Sequence, residues 1–141
     1  MVIRPARPDE RLTLIALQRR ASLMHADSHA ALVGNPDAID LPPEHIADTL
    51  VADEAGRALG FCVASRTTGN SAELDGLFVE PDVWRAGIGR ALVMAVAKGR
   101  ALTVVANPNV LEFYTGCGFA TTGTTATRFG PAISMTRPSG D

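Results

Sequence analysis

The residues best suited to chemistry lie in one stretch, Glu73-Leu-Asp-Gly-Leu-Phe-Val-Glu-Pro-Asp-Val-Trp-Arg-Ala-Gly87-Ile-Gly89-Arg90. It reads as a strand, a loop broken at Pro81, and a helix opened by two glycines. Such a helix start suits an anion. Its first amides lack intrahelical acceptors and point outward, and the helix dipole adds partial positive charge. Gly87 and Gly89 present no side chain that would hold a phosphate off the backbone. Arg85 and Arg90 can add charge-assisted contacts to phosphate oxygens. On the glycines alone, a tight strand-to-helix turn with no ligand satisfies the same pattern. Two known phosphate loops are excluded by residue. A P-loop needs Lys and Ser or Thr after its last glycine, where this chain has Arg90-Ala91. A dinucleotide G-x-G-x-x-G starting at Gly87 needs a small residue where Leu92 stands, and normally lies in the first strand-helix-strand unit.

The elements that must position this stretch follow from periodicity and turn residues. Val2-Ile3-Arg4 is a short strand ended by Pro5 and Pro8. Asp9 then suits a helix N-cap, with Leu12, Ile15, Ala16 and Leu23 as an apolar stripe. Residues 27–40 are loop-like, with a turn at Gly34-Asn35-Pro36, and Pro42-Pro43 open a second helix to about Asp48. Leu50–Ala52 and Leu59–Ala64 are strands across the turn Asp53–Gly56. Thr67–Asn70 is a second turn, and Ala72–Val79 a further strand. Gly87–Lys98 is a helix ended by Gly99, and Leu102–Ala106 a strand. Pro108–Tyr114 is a short helix that Asn107 can cap. Phe119–Thr136 holds two strands around Gly123-Thr124-Thr125.

The sum is an α/β (α+β) fold, a mixed, mostly antiparallel sheet of about six to seven strands flanked by four helices. Tight turns make the middle strands antiparallel. The crossover helix between 72–79 and 102–106 makes that pair parallel. No repeat or linker is visible, so residues 1–141 read as a single domain.

The composition of the 141 residues excludes several classes. With 46% hydrophobic and 20% charged residues, the chain is globular rather than disordered. A formal net charge of −2 with scattered arginines gives no footprint for gripping nucleic acid. The apolar run Leu92–Ala97 is too short to span a bilayer, and the start, Met1 to Pro5, leaves no room for a signal h-region. A cytoplasmic protein without membrane association is expected. Cys62 and Cys117 are too few and too far apart for a metal or redox pair, and read as reduced, buried thiols. His25 and His29 flank Asp27, but a metal needs a further ligand that cannot be located, so no metal is expected.

Two motifs in order, with one strand between them, make the chain resemble the GNAT superfamily of N-acetyltransferases. The first is the family's Q/R-x-x-G-x-G/A pyrophosphate motif. Gly87-Ile88-Gly89 match its end, while Trp84 stands at the Gln/Arg position with Arg85 one place later. The second is N-x-x-A-x-x-F-Y-x-x-x-G-F, matched by Asn107, Phe113, Tyr114, Gly118 and Phe119, with Val110 replacing alanine. The resemblance covers roughly residues 1 to 137 and is weakest between 25 and 48. It implies acetyl-CoA as co-substrate, its pyrophosphate held by the amides of Arg85, Ala86, Gly87, Ile88, Gly89 and Arg90. It also implies that the backbone of Leu77, Phe78 and Val79 pairs with the pantetheine arm. Asn107 is expected to contact pantetheine, and Phe113 and Tyr114 to line the cofactor.

Moving an acetyl group to an amine asks for a neutral amine, donors for the thioester oxygen, and a proton for the departing thiolate. A lysine-type amine titrates near ~10.4, an α-amino group near ~8 and a simple thiol near ~8.5. By the resemblance, Tyr114 is the acid to the sulfur. Glu73 is the base, acting through a water, with Asp75 its neighbour on the same strand face. The expected oxygen donor is a strand amide near Leu77 to Val79. Arg128-Phe129-Gly130-Pro131 either helps close the acceptor site or simply enters a strand. The acceptor is an amine on a small molecule or peptide, and its identity is not legible. A homodimer stays open, as does a catalytically silent CoA-binding module.

Overall fold

The structure is a computed structural model that describes residues 1–23, 43–66, 71–83, 87–106, 111–127 and 130–138. Among them lie seven strands: β1 (Val2–Pro5), β2 (Thr49–Glu54), β3 (Arg57–Arg66), β4 (Ser71–Val79), β5 (Ala101–Ala106), β6 (Ala120–Thr127) and β7 (Gly130–Arg137). Three α-helices accompany them: α1 (Arg11–Leu23), α2 (Ile88–Ala97) and α3 (Leu111–Gly116). β1 with β2, β2 with β3, β5 with β7 and β6 with β7 are antiparallel. β4 and β5 run parallel from Ser71↔Ala101 to Leu74↔Val104. The fold is thus the mixed, mostly antiparallel α/β arrangement expected, and the crossover through α2 makes the parallel pair.

Three local expectations are corrected. Pro43–Asp48 forms a 3-10 turn, so the described residues hold three α-helices rather than four. The segment leads directly into β2 at Thr49, and short connectors of this kind favour the tighter 3-10 form. Asp9 lies inside a 3-10 turn, Pro8–Glu10, and does not cap α1. Pro8 supplies a helical φ early, and Glu10 Oε1 accepts the Arg7 amide at 2.8 Å. The last hairpin does not turn at Gly123–Thr125. Those residues lie within β6, where a register shift leaves Thr122 as the extra residue between the paired Thr121 and Gly123, and the pairing closes at Thr127↔Gly130.

The chain divides into two compact units. The first comprises Met1–Val63 and Gly76–Leu92, with strand order β1-β2-β3-β4. Its core gathers Leu14, Leu17 and Ala21 of α1 with Ile46, Val51, Phe61 and Val63, and Phe78 packs against it. The Phe61 and Phe78 rings stand 5.3 Å apart. The buried stripe of α1 is therefore Leu14, Leu17, Gln18 and Ala21; of the expected Leu12, Ile15, Ala16 and Leu23, Ile15 packs partly buried against this core and Leu12 is 75% exposed. Apolar residues lie on both faces of this helix, and contact with the core selects one phase over the other. β2 and β3 join through Ala55 (φ 54°) and Gly56 (φ 88°), both left-handed, as a two-residue hairpin turn with matching twist requires.

In this unit Arg4 clamps the chain start. Its Nη1 and Nη2 donate to the two Glu10 carboxylate oxygens at 2.9 and 2.7 Å, and its Nε to Asp53 Oδ2 at 3.0 Å. The hydrogen bonds from Arg4 hold the Glu10 carboxyl down from 4.5 to about 2. Between those values the unfolded chain binds the proton and the native one does not. The clamp's stability is therefore full above pH 4.5 and is lost as pH falls toward 2. Urea unfolding of Glu10→Gln should show a deficit of about 1–3 kcal/mol at neutral pH that closes by pH 2. A deficit independent of pH would remove the carboxylate from this role.

The second unit comprises Ala64–Asp75 and Val93–Asp141, with strand order β4-β5-β7-β6. Ala72, Leu74, Leu102, Val104 and Met135 bury one face of these strands, while Thr103 and Val105 of β5 are exposed on the other. Both cysteines, Cys62 in the first unit and Cys117 in the second, are free and buried. Burial pushes the Cys62 thiol up to about 12. No helix among the described residues is long and apolar enough to cross a membrane.

Candidate active site

In the first unit the end of β4 meets the start of α2. Leu77, Phe78 and Val79 are half-buried. β3 lies so close to them that a Cβ added at Gly60 would sit 2.8 Å from the Phe78 carbonyl oxygen and 3.3 Å from Ile88 Cγ2. Gly60 therefore fixes the path of the strand end and the first residue of α2 together. The chain next passes Glu80, whose amide donates to Leu59 O at 2.9 Å. Its carboxylate is gripped by two nitrogens of Arg20, Nε to Oε1 at 2.9 Å and Nη2 to Oε2 at 2.5 Å. Two residues on, Arg57 Nη2 reaches both Asp82 oxygens, at 3.0 and 2.9 Å. That second pair is solvent-exposed and contributes little. The Glu80 side chain is only 10% exposed, so it carries the clasp.

Glu80→Gln should cost about 1–3 kcal/mol of stability and raise the acetyl-CoA Kd severalfold, since it frees the approach to the α2 start. Urea melts and calorimetric titration read the two effects. An unchanged Kd would show that the clasp does not govern the loop.

At the α2 start Gly87 has φ +82°, a backbone only glycine adopts without strain, and a Cβ there would meet nothing within 4 Å. The first helical bond runs from the Ala91 amide to Gly87 O at 3.0 Å. The Ile88 and Gly89 amides ahead of it have no intrahelical acceptor. The Ile88 side chain anchors the turn at 4% exposure, Gly89 is buried, and Arg90 is exposed. A glycine-led helix start facing open space suits the pyrophosphate of coenzyme A. Arg85 and Ala86, expected beside it, lie outside the described residues, as does Trp84.

In the second unit Tyr114 sits on α3, buried at 7% exposure. Six residues do not hold a helix by themselves, so its end is closed by a specific motif. The Phe119 amide donates to Tyr114 O, and the Gly118 amide to Thr115 O, both at 3.1 Å. Gly118 supplies the left-handed residue at φ +97°. This is a Schellman cap, and its usual apolar contact is the Tyr114–Phe119 edge-to-face pair at 5.4 Å. Phe113 also stands edge-on to the Tyr114 ring, at 5.0 Å. The Gly118-Phe119 pair of the sequence motif is thus the device that fixes the tyrosine helix. Arg137 Nε donates to Cys117 O at the same end, at 3.0 Å. Neither that contact nor the Arg20–Glu80 clasp has a sequence signal, because the partners stand 20 and 60 residues apart.

Also in this unit, Glu73 of β4 pairs in register with Thr103 and is half-buried, between the buried Ala72 and Leu74. Strand alternation therefore turns it away from the face those two bury. Asp75 belongs to β4, but its side chain lies outside the described residues. So do Asn107, His25, Asp27, His29 and the pair Arg128-Phe129.

The family profile described as Acetyltransferase (GNAT) domain matches residues 45–121. No curated protein matches the chain. Among solved structures, the PaiA N-acetyltransferase of Thermoplasma acidophilum in complex with coenzyme A superposes with a TM-score of 0.77 at 18% identity, over 97% of this chain and 98% of that one. An aminoglycoside 6'-N-acetyltransferase complexed with coenzyme A gives 0.74 at 16% identity, over 100% and 98%. The ribosomal-protein-S18-alanine N-acetyltransferase of Escherichia coli gives 0.72 at 19% identity, over 99% and 94%. At these identities the likeness shows the fold, and the profile shows the family. The chain belongs to the GNAT acetyltransferase family, and it is an acyltransferase.

Proposed function

We propose that this acyltransferase moves an acetyl group from acetyl-CoA to a primary amine by direct attack on the thioester. The observation that carries the reading is the start of α2, where Gly87 is left-handed and faces open space. Amides from Arg85 to Arg90 hold the pyrophosphate, and the half-buried end of β4, Leu77 to Val79, pairs with pantetheine. Asn107 and Phe113 complete the cofactor contacts. An amide of the β4 end donates to the thioester oxygen as charge develops there.

Glu73 removes the amine proton through a water, with Asp75 the alternative carboxylate, and Tyr114 gives its phenolic proton to the departing sulfur. No step calls for a metal. The acceptor is a small-molecule or peptide amine. The aminoglycoside and the ribosomal-protein alanine named for two similar structures mark the range of amines that this fold serves in other proteins. Residues 1–141 act as one catalytic domain, placed in the cytoplasm.

A thiol-release assay with acetyl-CoA and a panel of amines tests this. Acceptor-dependent thiol release, with acetylated amine found by mass spectrometry, is expected. Tight acetyl-CoA binding with no release on any amine would support a silent binding module instead.

A further inference from the structure

We infer that Arg137 is a positioning residue for the acid, an inference that rests on the proposed proton transfer from Tyr114. Arg137 is the last residue of β7, held in register opposite Leu102 of β5. From that frame its guanidinium reaches two other elements of the same unit. Nε donates to the Cys117 carbonyl at 3.0 Å, just beyond the last turn of α3, and Nη2 lies 3.7 Å from Met94 Sδ on α2. A cation at a helix C-terminus meets both a carbonyl acceptor and the negative end of the dipole.

The backbone at Gly118 is fitted to this contact. A Cβ there would stand 3.3 Å from Arg137 Nε, so the glycine that closes the Schellman cap also admits the guanidinium. The cap folds the end of α3 onto itself, through the Tyr114 carbonyl and the Tyr114–Phe119 ring pair. Arg137 ties that closed end to the sheet. A helix of six residues takes its position from such ties, and Tyr114 stands three residues from the tied carbonyl. Proton transfer depends on the placement of the phenol to a fraction of an ångström, whereas cofactor affinity is spread over many contacts. Loosening the tie is therefore felt in turnover before it is felt in binding.

The test is a double-mutant cycle on the full chain. Arg137→Met keeps the apolar stem and removes the donor. It should lower kcat about tenfold and leave the KM for acetyl-CoA within about twofold. In a Tyr114→Phe background the same substitution should change kcat by less than twofold, because no phenolic proton remains to be positioned. Arg137→Lys keeps a cation able to reach the Cys117 carbonyl and should recover most of the lost turnover. It also serves if the methionine variant does not fold.

Equal losses of kcat in both backgrounds, or a lysine variant as slow as the methionine one, would overturn the inference and reduce Arg137 to a general brace. A Tyr114→Phe enzyme with undiminished kcat is a different failure. It removes the acid role itself, and this inference with it.

Discussion

Replacing Gly89 by glutamate should all but abolish coenzyme A binding. Gly89 is buried in the first turn of α2, two residues after the open, left-handed Gly87. In the proposed binding mode, a side chain there would stand between the pyrophosphate and the helix-start amides. The added carboxylate also faces the phosphate charges. At ~5 Å and an effective dielectric near ~20, each pair of unit charges repels by about 3 kcal/mol. With the lost amide contacts, affinity should fall by at least about a hundredfold. Calorimetric titration with acetyl-CoA measures it, and a thermal melt shows that the variant is folded. Gly89→Ala separates bulk from charge and should lose far less. A folded Gly89→Glu protein that still binds with native affinity would move the cofactor away from this helix altogether.

Tyr114→Phe should lower kcat about a hundredfold and change the acetyl-CoA KM by no more than about threefold. General-acid assistance is worth about that much or more, and the departing thiolate benefits from it most at neutral pH and below. The substitution keeps the ring's edge-on contacts with Phe113 and Phe119, so the packing around α3 survives. The loss should shrink with substrates whose thiol leaves more readily, as expected of a group that acts on the leaving sulfur. Stopped-flow acetyl transfer with acetyl-CoA and a more activated thioester analogue would read this. A uniform loss across both would place the phenol in binding rather than in proton transfer.

Much of the frame was legible in the chain. Strand-length apolar runs, the turn at Asp53–Gly56 and the crossover before Leu102 report local chemistry, so β2 to β5 and α2 emerge nearly where they belong. The left-handed Gly87 and Gly99 at the two ends of α2 are equally local signals. What escaped reading depends on distant partners. The face of α1 that turns inward is decided by Val51, Phe61 and Val63, not by its own apolar pattern. The threonines of β6 look like a loop until β7 pairs with them. In the site, Gly118-Phe119 was visible as a motif, while its meaning as a helix cap needed the Tyr114 carbonyl and ring beside it. The grips of Arg20 on Glu80 and of Arg137 on Cys117 join residues that no spacing rule connects.

Each turnover of this reaction liberates a thiol into a protein that has two of its own. Cys62, its acidity suppressed to about 12, and Cys117, shut inside the second unit, offer no nucleophile for exchange with oxidised coenzyme A. The enzyme is therefore insulated from poisoning by the disulfide of its own product. Chromogenic thiol reagents added to the native protein will report the reaction against a silent background.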